Sequence, residues 1–326
     1  MSRVAELAAE RHSLVQQVSQ TVIRAVQALW GEVPPDRILS ALQGEAGRQI
    51  LAAVTAGQMT VAQGAEIFVS ASLLAQGAPA APLARLNPGA LVGITSDARP
   101  LVSLLYLPAI TAARALALGE SEASAALRGM NQMGMLIGTQ IADTARAATA
   151  VAMAAHPRCI SYVRVVKLPA CARCVILSGR QYSYSTGFKR HPRCDCGMSP
   201  MTDAEWKQTK TPEKLFQEMS TEEQRKRLGA AGVKALESGA DLGQIVNARR
   251  GMATAATGRG PMRVTTEGTT RRGIGGKALD SGFQKIPGAR YERANEARLM
   301  PETIFKLAGD NREHQIAMLR KHGYIT

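Results

Sequence analysis

Aromatic side chains are scarce in this sequence: two tryptophans, six tyrosines and five phenylalanines, 4% of 326 residues. That scarcity disfavours an aromatic-rich sheet fold, and the abundant alanine favours close-packed helices. Long apolar runs are missing too. The longest uncharged stretch, Ile67 to Ala84, contains Gly77, Pro79 and Pro82 and is no membrane helix. The opening MSRVAELAAERH carries charge where a secretion signal needs an apolar core. The expectation is a soluble chain in a reducing compartment. Cysteine is also rare, at five residues, and no lysine precedes Lys167.

The charge that is present is unevenly placed. Residues 1–150 hold ten arginines and ten acidic residues, whereas residues 151–326 hold thirty basic against sixteen acidic residues and so carry the whole net charge of +14. A compositional break therefore falls near residue 150. The basic half suggests a polyanionic neighbour, most simply nucleic acid.

Hydrophobic periodicity makes the first half helical. Val4, Leu7, Leu14, Val15, Val18, Val22, Val26 and Leu29 form one stripe of a long helix that stops at GEVPPD. Further helices are expected over 37–55, over 61–76 with Thr60 as cap, over 101–119 and over 121–155, with a long Pro/Gly connection at 77–100. Met130, Met133, Met135 and Met153 read as core filler. Leu104, Leu105, Tyr106 and Leu107 form an apolar run suited to core or to a partner.

From residue 159 the pattern changes. CISYVRVVKL reads as a strand, and VILSG with RQYSYS as a second short pair. Helices are expected after Thr202, after Ser220 and from Asp241, and again at 301–308 and 311–322. The glycine-rich stretch 251–289 reads as extended or flexible. His12, His314 and His322 fall in helical patterns and are expected on solvated faces. The expected fold is α+β and mostly α. Its parts are an Ala-rich helical docking module (1–155), a small β unit with a Cys/His cluster followed by helices (156–250), and a basic extended segment with short terminal helices (251–326).

Four of the five cysteines lie within 26 residues, as ACARC and then HPRCDC. Cys171 and Cys174 form C-x2-C; His191, Cys194 and Cys196 form H-x2-C-x-C. Two ligand pairs brought together across a hairpin complete a tetrahedron, the spacing logic of a structural zinc site. Cys171, Cys174, His191 and Cys194 are the favoured four, and Cys196 points the same way as Cys194 in an extended strand and can replace it. Lys167, Arg173, Arg190 and Arg193 are expected to surround the thiols. Disulfides and merely buried thiols are the alternatives. A catalytic Cys–His pair lacks a second histidine or an acidic pair, and Asp195 points away; His156 and Cys159, just before the strand, read as a helix end.

These residues resemble the phage Mu protein F-like family of minor head, or head morphogenesis, proteins. The stretch YVRVVKLPACARCVILSGRQY…GFKRHPRCDC carries its C-x2-C, its L-x-G-x-x-Y (Leu177, Gly179, Tyr182) and its H-P-x-C-x-C. MSTEEQRKRLGAAGVKALESGADLGQIVNARRGM, TTEGTTRRG and RLMPETIFKLAGDNREHQIAMLRKHGYI extend the likeness to segments typical of actinobacterial phages, so that it covers residues 159–326. The resemblance implies a low-copy virion component of the capsid interior at the portal vertex, made in the host cytoplasm and aiding head assembly and genome packaging or delivery. Portal protein, major capsid protein and packaged double-stranded DNA are the implied partners, without a membrane. Arg249, Arg250, Arg271, Arg272 and Lys277 are the residues expected on phosphates. No catalytic constellation is evident, so the expectation is a non-enzyme; a metal-dependent nuclease, a capsid maturation protease and a scaffold that never touches DNA are the rivals.

Overall fold

The structure, a computed structural model, describes residues 2–188, 190–192, 194, 196–202, 210–256 and 260–325. It is mostly helical, with small antiparallel sheets and a Cys/His cluster, an α+β fold. Two compact units make it up: Met1–Lys167 with Gly179–Thr209, and Leu168–Ser178 with Lys210–Thr326.

In the first unit, α1 (Arg3–Gly31) begins where the Ser2 side chain accepts the Ala5 N–H. Its buried stripe is Val4, Ala8, His12, Val15, Ser19, Val22, Val26 and Trp30. His12 thus belongs to the core-facing stripe, a correction to its expected solvated position. Leu14 falls outside the stripe and is exposed. Next come α2 (Ile38–Gln43), α3 (Glu45–Gln63) and α4 (Ala65–Leu74). The break falls at Gly64 rather than before Thr60, whose hydroxyl donates to the Ala56 carbonyl inside α3. The helices α5 (Leu101–Leu105), α6 (Leu107–Ala117) and α7 (Glu122–Ala154) follow, the last capped by Ser121. Val26, Val54, Val61, Met133, Ile137 and Ile141 are fully enclosed between α1, α3 and α7. Trp30 fits this core because Gly129 lies against it: a Cβ there would stand 2.6 Å from the indole ring.

Polar side chains pin the connections to this bundle. Gln58 is wholly buried; its amide donates to the Ile94 carbonyl at 2.9 Å and to Thr144 Oγ1 at 3.1 Å, and it accepts from the Gly93 N–H at 2.9 Å. The 77–100 connection is held to α3 and α7 in this way. The sheet of this unit has the order β2–β1–β3, all antiparallel, from β1 (Ser161–Val165), β2 (Gln181–Ser183) and β3 (Gly197–Met201). Tyr162 pairs with Tyr182 on one side and Pro200 on the other. Tyr162 and Met198 pack on Phe68, Leu73 and Met153 of α4 and α7. The strand β3 went unread in the sequence because GMSPM shows no alternation; as an edge strand it tolerates its proline. Gln76 closes that edge, donating to the Pro200 carbonyl at 2.8 Å and accepting from the Thr202 N–H at 2.7 Å. The helix expected after Thr202 lies outside the described residues.

The second unit contains α8 (Ala172–Val175), α9 (Pro212–Gln217), α10 (Thr221–Glu237, kinked at Gly229), α11 (Leu242–Arg250), α12 (Ile274–Leu279), α13 (Pro301–Ala308) and α14 (Arg312–Lys321). The strands β4 (Met252–Ala255), β5 (Met262–Thr265) and β8 (Arg298–Leu299) form one small sheet, and β6 (Phe283–Gln284) pairs with β7 (Arg293–Ala294). Ser220 and Asp241 cap α10 and α11 where helices were expected to begin, and Asn311 caps α14. VILSG, expected as a strand, instead ends the single turn of α8.

The expected flexible segment 251–289 is structured where it is described, carrying β4, β5, α12 and β6. Arg298, fully buried, explains two of its glycines, Gly268 and Gly275. The guanidinium donates from Nε to the His322 carbonyl at 2.7 Å, from Nη1 to the Glu267 carbonyl at 3.1 Å, and from Nη2 to the Gly323 carbonyl at 3.0 Å and to Gln244 Oε1 at 3.2 Å. It also stacks 4.4 Å from the Tyr324 ring centroid. Gly268, at φ +72°, and Gly275 come so close that a Cβ on them would stand 2.7 Å and 2.6 Å from that guanidinium. These two glycines let the backbone approach the guanidinium.

His322, expected on a solvated face, is likewise buried; its Nδ1 accepts the Leu299 N–H at 3.3 Å. Burial pushes its pKa from 6.5 down to about 4. The folded chain therefore refuses a proton that the unfolded chain accepts. Its contribution to stability is complete above pH 6.5 and is lost as pH falls through about 4. Urea titrations of the full chain should show a decline of up to about 3 kcal/mol across that window. His322→Gln should flatten the decline, and an unchanged pH profile in that variant would remove His322 as its cause.

Candidate metal centre

Each pair of candidate ligands is set by a short local device of its own unit. In the second unit, Cys171 is the N-cap of α8, and its sulfur accepts the Cys174 N–H at 3.4 Å. One helical turn therefore brings the two sulfurs to 3.3 Å. That is far longer than the bond of a disulfide, about 2.05 Å, so these are two separate thiols. The C-x2-C thus rides on a helical cap rather than on the hairpin expected from sequence.

In the first unit, the Cys194 N–H donates to the His191 carbonyl at 3.1 Å, closing a reverse turn with Pro192 at its second position. His191 Nδ1 lies 2.7 Å from the Pro192 carbonyl. Nδ1 can meet a carbonyl only as the protonated nitrogen, so the lone pair available for a metal is on Nε2. Cys194 and Cys196 are each 1% exposed, and their sulfurs lie within 4.8 Å of each other. Asp195 and Arg193 lie outside the described residues.

Two arginines that sequence reasoning passed over organise this C-x-C. Arg146 on α7 donates through Nη1 to the Cys196 carbonyl at 2.8 Å and the Cys194 carbonyl at 3.1 Å. Asp143, one turn earlier and buried, pairs with Arg146 and also with Arg190, which donates to Ser96 Oγ at 2.9 Å. Arg164 on β1 reaches the sulfurs themselves, with Nη2 at 3.5 Å from Cys194 Sγ. Burial opposes its charge, but Cys196 and Cys194 more than offset this and raise its pKa. Phe188 covers the guanidinium face at 4.2 Å and joins Tyr162 and Tyr182 in an aromatic cluster with centroids 5.3–6.2 Å apart. A signal for part of this was present: Asp143 and Arg146 are the only charged residues between Arg128 and Arg158.

Of the four basic residues expected around the thiols, Lys167 instead donates to Ser13 on α1 at 2.7 Å, and Arg173 is exposed. Arg190, held by Asp143 and Ser96, lies near enough to Cys194 to interact with its charge; Arg193 is outside the described residues. Cys159 stays apart as well: it is buried, donates to the Ser161 carbonyl at 3.4 Å, and burial pushes its thiol pKa up to about 11. His156 sits just past the end of α7, where burial lowers its pKa.

Of the residues expected on phosphates, Arg250, Arg272 and Lys277 are exposed. Arg249 instead pairs with Glu302 at 2.7 Å, and Arg271 with Glu292 at 2.8 Å.

Residues 106–222 match the model of a family described as VG15 protein, a phage protein family, and this is consistent with a phage protein. The matched stretch runs from the residue before α6 to the first turn of α10 and contains Cys171, Cys174, His191, Cys194 and Cys196. No curated protein and no solved structure matches the chain. Among the described residues, no helix is long and apolar enough to cross a membrane.

Proposed function

We propose that this chain is a structural component of a phage virion, a minor head protein of the Mu F-like type that works at the portal vertex inside the capsid without being an enzyme. The observation that carries the reading is the phage-family match over the very segment that holds C-x2-C and H-x2-C-x-C. Residues 1–155 are the module that docks on portal and major capsid protein. Their net charge is near zero, and α6 with its C-cap residue leaves Leu107, Ile110 and Leu118 exposed. Cross-linking of heads assembled with the cognate portal and capsid proteins should link residues 1–155 to the portal. Links to the portal from residues 156–326 alone would invert this division of labour.

One structural zinc fits the donor set. Cys171, Cys174 and His191, with one of Cys194 or Cys196, would hold it, and the metal would supply cross-linking rather than chemistry on a substrate. Support comes from unlinked thiols on a one-turn cap, from the protonated Nδ1 that leaves Nε2 as the donor, and from the enclosed C-x-C sulfurs. Protein purified without chelator should contain about one equivalent of zinc, measured by elemental analysis. Zinc-free protein with all its thiols titratable in the native state would dismiss the centre.

The basic half is proposed to contact packaged double-stranded DNA without sequence preference, through exposed Arg250, Arg272 and Lys277 together with their basic neighbours. If about five to seven side chains reach phosphates, log affinity should fall with log salt at a slope of roughly −4 to −6. Reversing Arg250, Arg272 and Lys277 to Glu should cost more affinity than reversing Arg249 and Arg271, which already face carboxylates. Salt-independent binding would rule out the phosphate contacts.

A further inference from the structure

We infer that Arg164 is a positioning residue for a thiolate-rich metal centre, holding the Cys194 and Cys196 sulfurs in place and balancing their negative charge. The inference rests on the zinc reading above and adds to it a residue outside the ligand set.

Arg164 occupies the central strand β1 and is 2% exposed. A guanidinium keeps its proton under all ordinary conditions, so a full positive charge sits inside the first unit. Its surroundings are specific. Phe188 covers one face at 4.2 Å, and Nη2 points at Cys194 Sγ from 3.5 Å. Its Nε and Nη1 are buried without a hydrogen-bond partner among the described residues. The buried carboxylate of Asp143 is paired with Arg146 and Arg190 instead.

A buried cation left without an anion is strongly destabilising. Neutral thiols are weak acceptors and would answer it poorly. Metal-bound thiolates answer it well, since they keep a large share of their negative charge and accept hydrogen bonds from the surrounding shell. The charge count agrees. Zinc with two thiolates is neutral, and a third leaves one net negative charge, which a single guanidinium cancels. A centre of three thiolates and one imidazole therefore carries one net negative charge, and Arg164 sets a buried cation beside the Cys194 and Cys196 sulfurs.

The two buried arginines divide the work. Arg146 fixes the backbone, through the carbonyls of Cys194 and Cys196, whereas Arg164 addresses the sulfurs. Only the second is predicted to change the electronic character of the centre.

The test uses the full-length chain, stripped of metal under reducing conditions and reloaded with Co(II) or Zn(II). Arg164→Met should weaken Zn(II) binding by ten- to a hundredfold in chelator competition, the range found for lost outer-shell partners. It should also shift the thiolate-to-Co(II) charge-transfer band. Arg164→Lys, which keeps the charge but loses the planar fork, should recover part of the affinity. Wild-type affinity and an unshifted band in Arg164→Met would overturn the role of Arg164 while leaving the zinc centre standing. A wild-type chain that takes up neither metal would overturn both readings. If Arg164→Met does not fold, the lysine variant decides: severalfold weaker binding supports the role, and unchanged binding with an unchanged band refutes it.

Discussion

Burying a guanidinium costs least where acceptors surround it, and that constraint organises each unit of this protein. In the second unit, Arg298 gathers carbonyls from separate segments, those of Glu267, His322 and Gly323, and stacks on Tyr324. In the first unit, Arg146 ties the longest helix to the C-x-C carbonyls, and Asp143 keeps it aimed. Such networks are costly to leave half-made, since each unmet donor in a low-dielectric interior loses its hydration without replacement. They therefore define which chain segments must meet, and the weakly featured, alanine-rich packing around them follows.

What could be read in the sequence was what is encoded locally. Helix starts were legible at Ser121, Ser220, Asp241 and Asn311, because a capping side chain and the amide it meets lie within three residues. The ligand spacing was legible for the same reason. The strand β3 was not: its identity comes from pairing with β1, far back in the chain, and from Gln76, which closes its edge. Arg164 looked like one polar residue in a strand, and nothing local foretells that Phe188 and Cys194 converge on it. His12 was more legible than it was taken to be. Val4, Ala8, His12 and Val15 keep the spacing of a buried stripe, and the histidine was set aside for its polarity alone.

The two cysteine pairs are prepared in different ways. The C-x2-C sulfurs are set by a single helical turn, a device needing few residues and little surrounding structure. The C-x-C sulfurs are set by long-range contacts: a helix fixes their carbonyls, a strand supplies a cation, and scarce aromatic residues shield it. In a chain with 4% aromatics, placing Tyr162, Tyr182 and Phe188 together here marks where packing precision is concentrated.

Glycine-rich stretches are ordinarily where proteins accept substitutions and insertions most freely. The stretch around Gly268 and Gly275 should behave in the opposite way. There the missing side chains are the space that Arg298 occupies, so each glycine is as constrained as a core residue whose cavity is already filled. A saturation map of this region would then show intolerance at those glycines and tolerance at the arginines exposed between them. Variation among related chains would follow the same division, with charge drifting along the surface and the glycine positions standing still.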